Sequence, residues 1–198
     1  MQNLKNIIKT TLSKEWATLD RIDYDYQFKN CKWKRLSRET YNRGNGAAIL
    51  LYNKAKATVI LTRQFRMPIY ETTPNESMSI EACAGAIDNN DSALETIIRE
   101  TEEEVGYKIS NAKQVLTAYT SPGALTEKMY LFVAEYNDRM KFNEGGGLDA
   151  EDEEIEVLEL PFSQTLEMVK NEEIIDAKTI MLLQYAQIND LLQSAKQN

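Results

Sequence analysis

Glu100, Glu103 and Glu104 fall in the segment from Ser92 to Val105, where Leu94, Ile97, Ile98, Thr101 and Val105 recur at helical spacing. At 100° per residue the three glutamates lie within an arc of about 100°, beside the apolar stripe rather than opposite it. Local physics opposes such a cluster. Glu100 and Glu104 are a like-charge i,i+4 pair costing roughly a few tenths of a kcal/mol. All three also lie in the carboxyl-terminal half of the helix, where the macrodipole disfavours an anion by roughly 0.3 to 1 kcal/mol. Arg99 relieves part of this, so a bound cation is the natural compensation, and oxygen-only ligands point to Mg²⁺ or Mn²⁺. Taken alone, a glutamate-rich helix is more often a solvated acidic face. The rest of the chain favours carboxylate chemistry. There is no histidine, which closes serine-histidine and cysteine-histidine catalysis and most catalytic zinc sites to a single chain. Carboxylate, lysine, tyrosine or metal-bound water remain.

The elements that must position these glutamates are legible from periodicity. Ile22 to Phe28 alternates as a half-buried strand, a turn at Lys29-Asn30 follows, and the basic segment Lys32 to Tyr41 returns as the second arm of a hairpin. Asn42 to Gly46 separates that hairpin from strands at Ala47 to Tyr52 and Thr58 to Gln64. A loop carrying Pro68 and Pro74 leads to a short strand around Ser79 to Ala82. The helix from Ser92 to Val105 takes Asp91 or Ser92 as N-cap and Gly106 just past its end. Strands follow at about Gln114 to Tyr119 and Met129 to Tyr136, and Gly145 to Gly147 opens an acidic loop. The run Ile155 to Leu160 alternates imperfectly, so it is either buried on both faces or bulged. Helical patterns run through Leu166 and Val169 and from Thr179 to Leu192. The sum predicts an α+β protein, a mixed β-sheet sandwiched between helices, with an amino-terminal β-hairpin appendage over residues 1–42 and the main domain over 43–198.

Composition sets the outer bounds. With 42% apolar and 27% charged residues the chain has the make-up of an ordinary soluble domain. Its net charge of −8 argues against nucleic acid or an anionic membrane as partner. The amino terminus lacks an apolar core segment, and no stretch approaches the roughly 18 consecutive apolar residues of a spanning helix. Cys31 and Cys83 are too few for a secreted disulfide framework and read as reduced thiols. These features predict a cytoplasmic protein.

Reading back from the glutamates gives Gly85, five residues, Asp91, seven residues, then Arg99-Glu100-Thr101-Glu102-Glu103-Glu104-Val105-Gly106-Tyr107. This resembles the Nudix box, G-x5-E-x7-R-E-U-x-E-E-x-G-U, with Asp91 where glutamate is usual and Thr101 where an aliphatic residue is usual. Neither departure touches the three glutamates, and Thr101 is expected to weaken packing only slightly. Within that family the likeness is to the GDP-mannose pyrophosphatases. It is carried by YNRGNGAAILLYN (41–53), RQFR (63–66), EACAG (81–85), SPGALTE (121–127), NEGGG (143–147), IEVLELPFSQTLEMVK (155–170) and DAKT (176–179).

The resemblance implies Mg²⁺-dependent hydrolysis of the pyrophosphate of a nucleoside diphosphate sugar, most simply GDP-mannose to GMP and mannose 1-phosphate. It implies metal on the Ala84 carbonyl, Glu100, Glu104 and, from the acidic loop, Glu153, with Glu151, Asp152 and Glu154 as competitors for that last place. Glu103 is expected first or second in line at the metal, and Glu127 or Glu153 is expected to orient the attacking water. Substrate contacts are implied at Trp16, Arg38, Glu39, Arg66, Ala84, Gly85, Glu127 and Lys178. A homodimer that exchanges its amino-terminal strands is also implied. An ADP-ribose or broader nucleoside diphosphate sugar pyrophosphatase, and a catalytically silent nucleotide-sensing module, are the alternatives.

Overall fold

The computed structural model describes residues 3–75, 77–88, 90–148 and 154–192. The chain divides into two compact units, one of Met1–Asn45 with Tyr119–Lys128 and one of Gly46–Ala118 with Met129–Asn198.

The first unit is built on β1 (Leu4–Lys14), β2 (Thr18–Gln27) and β3 (Trp33–Asn42), an antiparallel three-stranded sheet in that order. The expected two-stranded hairpin is therefore a meander, and β2 starts earlier than Ile22. The reason β1 escapes a periodicity reading is physical: every one of its residues is exposed, so no buried face imposes alternation. Its register with β2 also shifts between Lys5 and Ile8 and between Thr11 and Ser13, with Asn6 at φ 52°. The segment 119–128 joins this unit through Tyr41 N–H to the Ala124 carbonyl at 2.8 Å and Thr126 N–H to the Tyr41 carbonyl at 3.1 Å.

The second unit holds β4 (Gly46–Asn53), β5 (Thr58–Phe65), α1 (Met67–Thr72), β6 (Met78–Glu81), β7 (Cys83–Ala86), α2 (Ala93–Val105), β8 (Lys113–Tyr119), β9 (Lys128–Glu135), β10 (Glu156–Pro161), α3 (Phe162–Lys170) and α4 (Ala177–Ile188). Its sheet runs β10-β5-β4-β9-β8, with β6 on β5 and β7 on β4. The pairing of β4 is parallel to β9 and antiparallel to β5 and β7, so the sheet is mixed.

β4 shows why helices cover both faces. Ala47, Ile49 and Leu51 pack with Ile97 and Val105 of α2, while Ala48 and Leu50 pack with Met168, Leu182, Leu183 and Ala186 of α3 and α4. All five β4 residues are buried, each larger one contributing about 1.5–3 kcal/mol relative to exposure. The α+β sandwich expected from the sequence is the one observed.

Three local expectations change. The Pro68 loop contains α1, because a proline in the first turn of a helix gives up no helical hydrogen bond. β10 is unbulged and pairs with β5 in continuous register, and it is an edge strand whose Val157 and Leu160 lean on opposite clusters while only half-buried. The last helix begins at Ala177 because Asp176 caps it, accepting the Thr179 N–H at 2.9 Å.

Ser92, not Asp91, caps α2. Its Oγ accepts the Glu95 N–H at 3.2 Å while the Glu95 carboxylate accepts the Ser92 N–H at 2.9 Å, a reciprocal capping box. Asp91 instead closes a turn through its N–H to the Asp88 carbonyl at 3.1 Å. Ser92→Ala should cost about 1 kcal/mol and lower Tm by about 2–4 °C for a chain of this size; a Tm within error of wild type by calorimetry would show that the box does not hold the helix.

Candidate active site

Glu100 and Glu104 can face the sheet because of what β7 lacks. β5 pairs only with the end of β4, at Leu51–Asn53, and β7 takes the start, with Ala48 opposite Ala84 and Ala47 opposite Gly85. α2 crosses this corner. A Cβ at Gly85 would overlap the Glu100 carboxyl group, so only glycine lets that side chain lie against the strand. One turn on, Glu104 is buried and accepts the Ala84 N–H at 3.1 Å.

Arg99 stands between the other two carboxylates, donating from Nη2 to Glu100 at 2.7 Å and from Nη1 to Glu103 at 2.6 Å. Thr101 is fully buried, and its hydroxyl donates to the Ile97 carbonyl at 2.6 Å, so the polar group at an aliphatic position is satisfied within the helix. Cys83 lies beneath: burial pushes its thiol well above the usual range, and the Glu104 and Glu100 charges push it further. It is inert as a nucleophile.

The helix end is sealed by the glycine run. Gly106 takes the left-handed conformation at φ 75°, and its carbonyl accepts the Phe142 N–H at 2.7 Å. Gly146 N–H reaches the Glu104 carbonyl at 2.9 Å and Gly147 N–H the Glu103 carbonyl at 3.3 Å. These are carbonyls a helix terminus would otherwise leave without partners. Gly145, at φ 69°, passes so close that a Cβ would overlap the Glu104 carbonyl. Ile155 N–H returns to the Gly146 carbonyl at 3.1 Å, so the acidic loop both leaves from and comes back to the end of α2. Glu153, Glu151 and Asp152 lie outside the described residues; Glu154 is exposed. A cleft of about 280 Å³ runs beside this junction, lined by Arg99, Glu102, Glu103, Asn143 and Leu148 among others.

Arg66 and Lys178, far apart in sequence, meet on Glu81. The Arg66 guanidinium makes a two-point contact, Nε to Oε1 at 2.8 Å and Nη2 to Oε2 at 2.9 Å, and Lys178 Nζ lies 2.5 Å from Oε2 and 3.0 Å from Asp176. Burial alone would push the Glu81 carboxyl up; the Arg66 hydrogen bonds and the two cationic charges outweigh it and hold the group at about 2. Glu81 was not singled out from the sequence. The available signal was a lone glutamate between apolar neighbours in a short strand, which when buried demands cations.

The remaining expected residues belong to the first unit. Glu127 is buried and engaged by Arg43 at 2.5–2.7 Å and by the Thr120 hydroxyl at 3.0 Å. Arg43 carried no sequence signal beyond being an arginine in a turn. Its guanidinium also lies 5.9 Å from the centre of the Trp16 ring, a residue that is 77% exposed. Arg38 and Glu39 are exposed neighbours on β3, opposite Ile22 and Arg21 of β2, so they point to opposite faces of that sheet.

Among the described residues no three carboxylate or thiol side chains already converge on one metal-sized point. The donor set nonetheless fits a hard cation: two carboxylates one helical turn apart, against a strand segment pared to alanine and glycine, with neither imidazole nor an accessible thiol to favour a softer metal.

Comparison with known proteins agrees with this geometry. A family model described as NUDIX domain matches residues 42–183, and one described as GDP-mannose pyrophosphatase NudK N-terminal domain matches residues 3–41. A GDP-mannose pyrophosphatase of Pectobacterium atrosepticum is 49% identical over 90% of this chain and 91% of its own length. Proteins of the same name from Cronobacter sakazakii and Escherichia coli K12 are each 46% identical over 96% of this chain and 98% of their own. A glutamate helix seated on a glycine strand in a mixed sheet between helices, matched by the domain model over most of the chain, places this protein in the Nudix hydrolase family.

Proposed function

We propose that this protein hydrolyses the pyrophosphate bond of a nucleoside diphosphate sugar, converting GDP-mannose to GMP and mannose 1-phosphate with Mg²⁺. The observation that carries this reading is likeness to GDP-mannose pyrophosphatases across both units of the chain, box and flanking stretches alike.

In this reading the Ala84 carbonyl, Glu100, Glu104 and Glu153 hold the metal, with Glu103 beside them. Mg²⁺, when bound, neutralises the two phosphates and polarises the phosphorus under attack. Arg66 and Lys178 bind phosphate oxygens, for which a guanidinium has the matching fork. Glu127 or Glu153 accepts a proton from the attacking water; the new P–O bond forms on one phosphorus and the bridging P–O bond breaks. Trp16 stacks on the base, Arg38 and Glu39 contact the nucleotide sugar, and the backbone at Ala84 and Gly85 lies along it.

Residues 1–42 serve as a dimerisation segment that two copies exchange, with the hydrolase domain over 43–198. The exposure of Leu4, Ile7, Ile8 and Leu12 on β1, at 38–60%, supports a partner for that strand. Among the described residues no helix is long and apolar enough to cross a membrane. Two free thiols and a net charge of −8 support a cytoplasmic setting and a nucleotide-sugar substrate rather than nucleic acid.

Three outcomes are expected. Across a nucleotide-sugar panel with Mg²⁺, GDP-mannose should show the highest kcat/KM and chromatography should show GMP and mannose 1-phosphate; a strong preference for ADP-ribose reverses the substrate assignment. Glu104→Gln, which keeps the shape of the side chain, should lower kcat by at least about 100-fold with an unchanged circular dichroism spectrum, and near-normal turnover sinks the metal role of Glu104. Sedimentation of the full chain should give a dimer mass; a monomer at micromolar concentration removes the exchanged strands.

A further inference from the structure

The Glu81 cluster has a geometry that sheet stability does not require. Replacing a buried ion pair by apolar residues is often neutral or stabilising, so two cations gathered over a buried carboxylate are weak support for a purely structural role. Their backbone anchors are also unusually complete. Arg66 stands at the start of α1, its N–H bonded to the Ser77 carbonyl at 2.9 Å and its own carbonyl accepting the Ile69 and Tyr70 N–H groups at 3.0 Å. Lys178 sits in the first turn of α4 beside Asp176, whose other oxygen caps the helix and accepts the Thr179 hydroxyl at 2.6 Å. The Thr179 hydroxyl oxygen in turn accepts the Ala82 N–H at 2.7 Å, tying α4 to the residue next to Glu81.

Exposure sorts the members. Side-chain exposure is 5% for Glu81, 13% for Lys178 and 40% for Arg66, so the carboxylate is the buried member and Arg66 the more accessible of the two cations. Arg66 gives two of its N–H groups to Glu81, and a guanidinium carries five. Three of its N–H groups thus take no hydrogen bond among the described residues. The four charges of Glu81, Asp176, Arg66 and Lys178 cancel, which lets two cations stand 15 and 97 residues from the same carboxylate without repelling each other apart. Three residues along the chain from Glu81, the Ala84 N–H is bonded to Glu104 at 3.1 Å, so this cluster lies next to the strand that carries the glutamate helix.

We propose that Glu81 is a positioning residue: it locks Arg66 and Lys178 in place as preset N–H donors for the substrate's pyrophosphate. This rests on the hydrolase reading above but not on the identity of the base or sugar. A preset guanidinium binds a phosphate without first being ordered, and its plane decides which phosphate oxygens it reaches.

The test compares wild type, Glu81→Gln, Glu81→Asp, Arg66→Gln and the Glu81→Gln/Arg66→Gln double variant on whichever nucleotide sugar the wild type turns over best. It adds calorimetric binding of inorganic pyrophosphate with Mg²⁺, and Tm for each variant. Glu81→Gln should lower kcat/KM by about 10- to 100-fold and weaken pyrophosphate binding, while the Mg²⁺ concentration for half activation stays at the wild-type value. Glu81→Asp, which keeps the charge, should recover part of the loss, and it carries the comparison if the glutamine variant does not fold. Because Glu81 acts through Arg66, the double variant should be no worse than Arg66→Gln alone within about two-fold. Multiplying losses, wild-type-like pyrophosphate binding in both Glu81 variants, or no pyrophosphate binding to the wild type overturns the proposal. The substrate panel on the wild type decides the hydrolase reading separately, and if no substrate turns over, the pyrophosphate arm alone decides the role of Glu81.

Discussion

A helix with glutamates at the border of its buried face can lie on a sheet only where the strand beneath it offers backbone rather than side chains. Here that contact is Glu100 over Gly85 and Glu104 on the Ala84 N–H. Much follows from it. β7 must be short and small-residued, β4 must give up half its edge to β7, and β5 is confined to the other half. The glutamates are held against the sheet by the same packing that buries Ile97 and Val105, so their geometry is set by the core.

The second constraint is charge, which is compensated locally and by different means at each carboxylate. Glu100 and Glu103 share Arg99, and Glu104 takes a backbone N–H. Opposite the unfavourable end of the helix dipole, the N–H groups of Gly146 and Gly147 point at the last carbonyls. That contact fixes where the acidic loop starts and returns. Glu81 is compensated differently, by two long-range cations strong enough to overcome its burial. In the other unit Glu127 is matched by Arg43 and Thr120.

Legibility followed the range of the interaction. The α2 helix, its Gly106 end and the disposition of its glutamates were readable because one turn of helix converts spacing directly into position. β4 and β9 were readable because strands covered on both faces are continuously apolar. β1 was not, since an exposed strand carries no burial pattern. β7 was not, since four small residues have too little periodicity to count. Thr101 read as a slight packing defect and proved to be a buried hydroxyl satisfied by its own helix.

The sequence by itself determined the chemistry: a histidine-less, acidic chain with carboxylates at fixed intervals on one helix, suited to a hard divalent cation. Local spacing suffices there, because residues within a helix cannot change their relative placement. Only the tertiary structure decided that Arg66 and Lys178 meet on Glu81 and that Arg43 holds Glu127 across 84 residues. Those contacts depend on which strands pair and where α4 docks. Pairing and docking are set by the burial of whole faces, a property that no short stretch of sequence possesses alone.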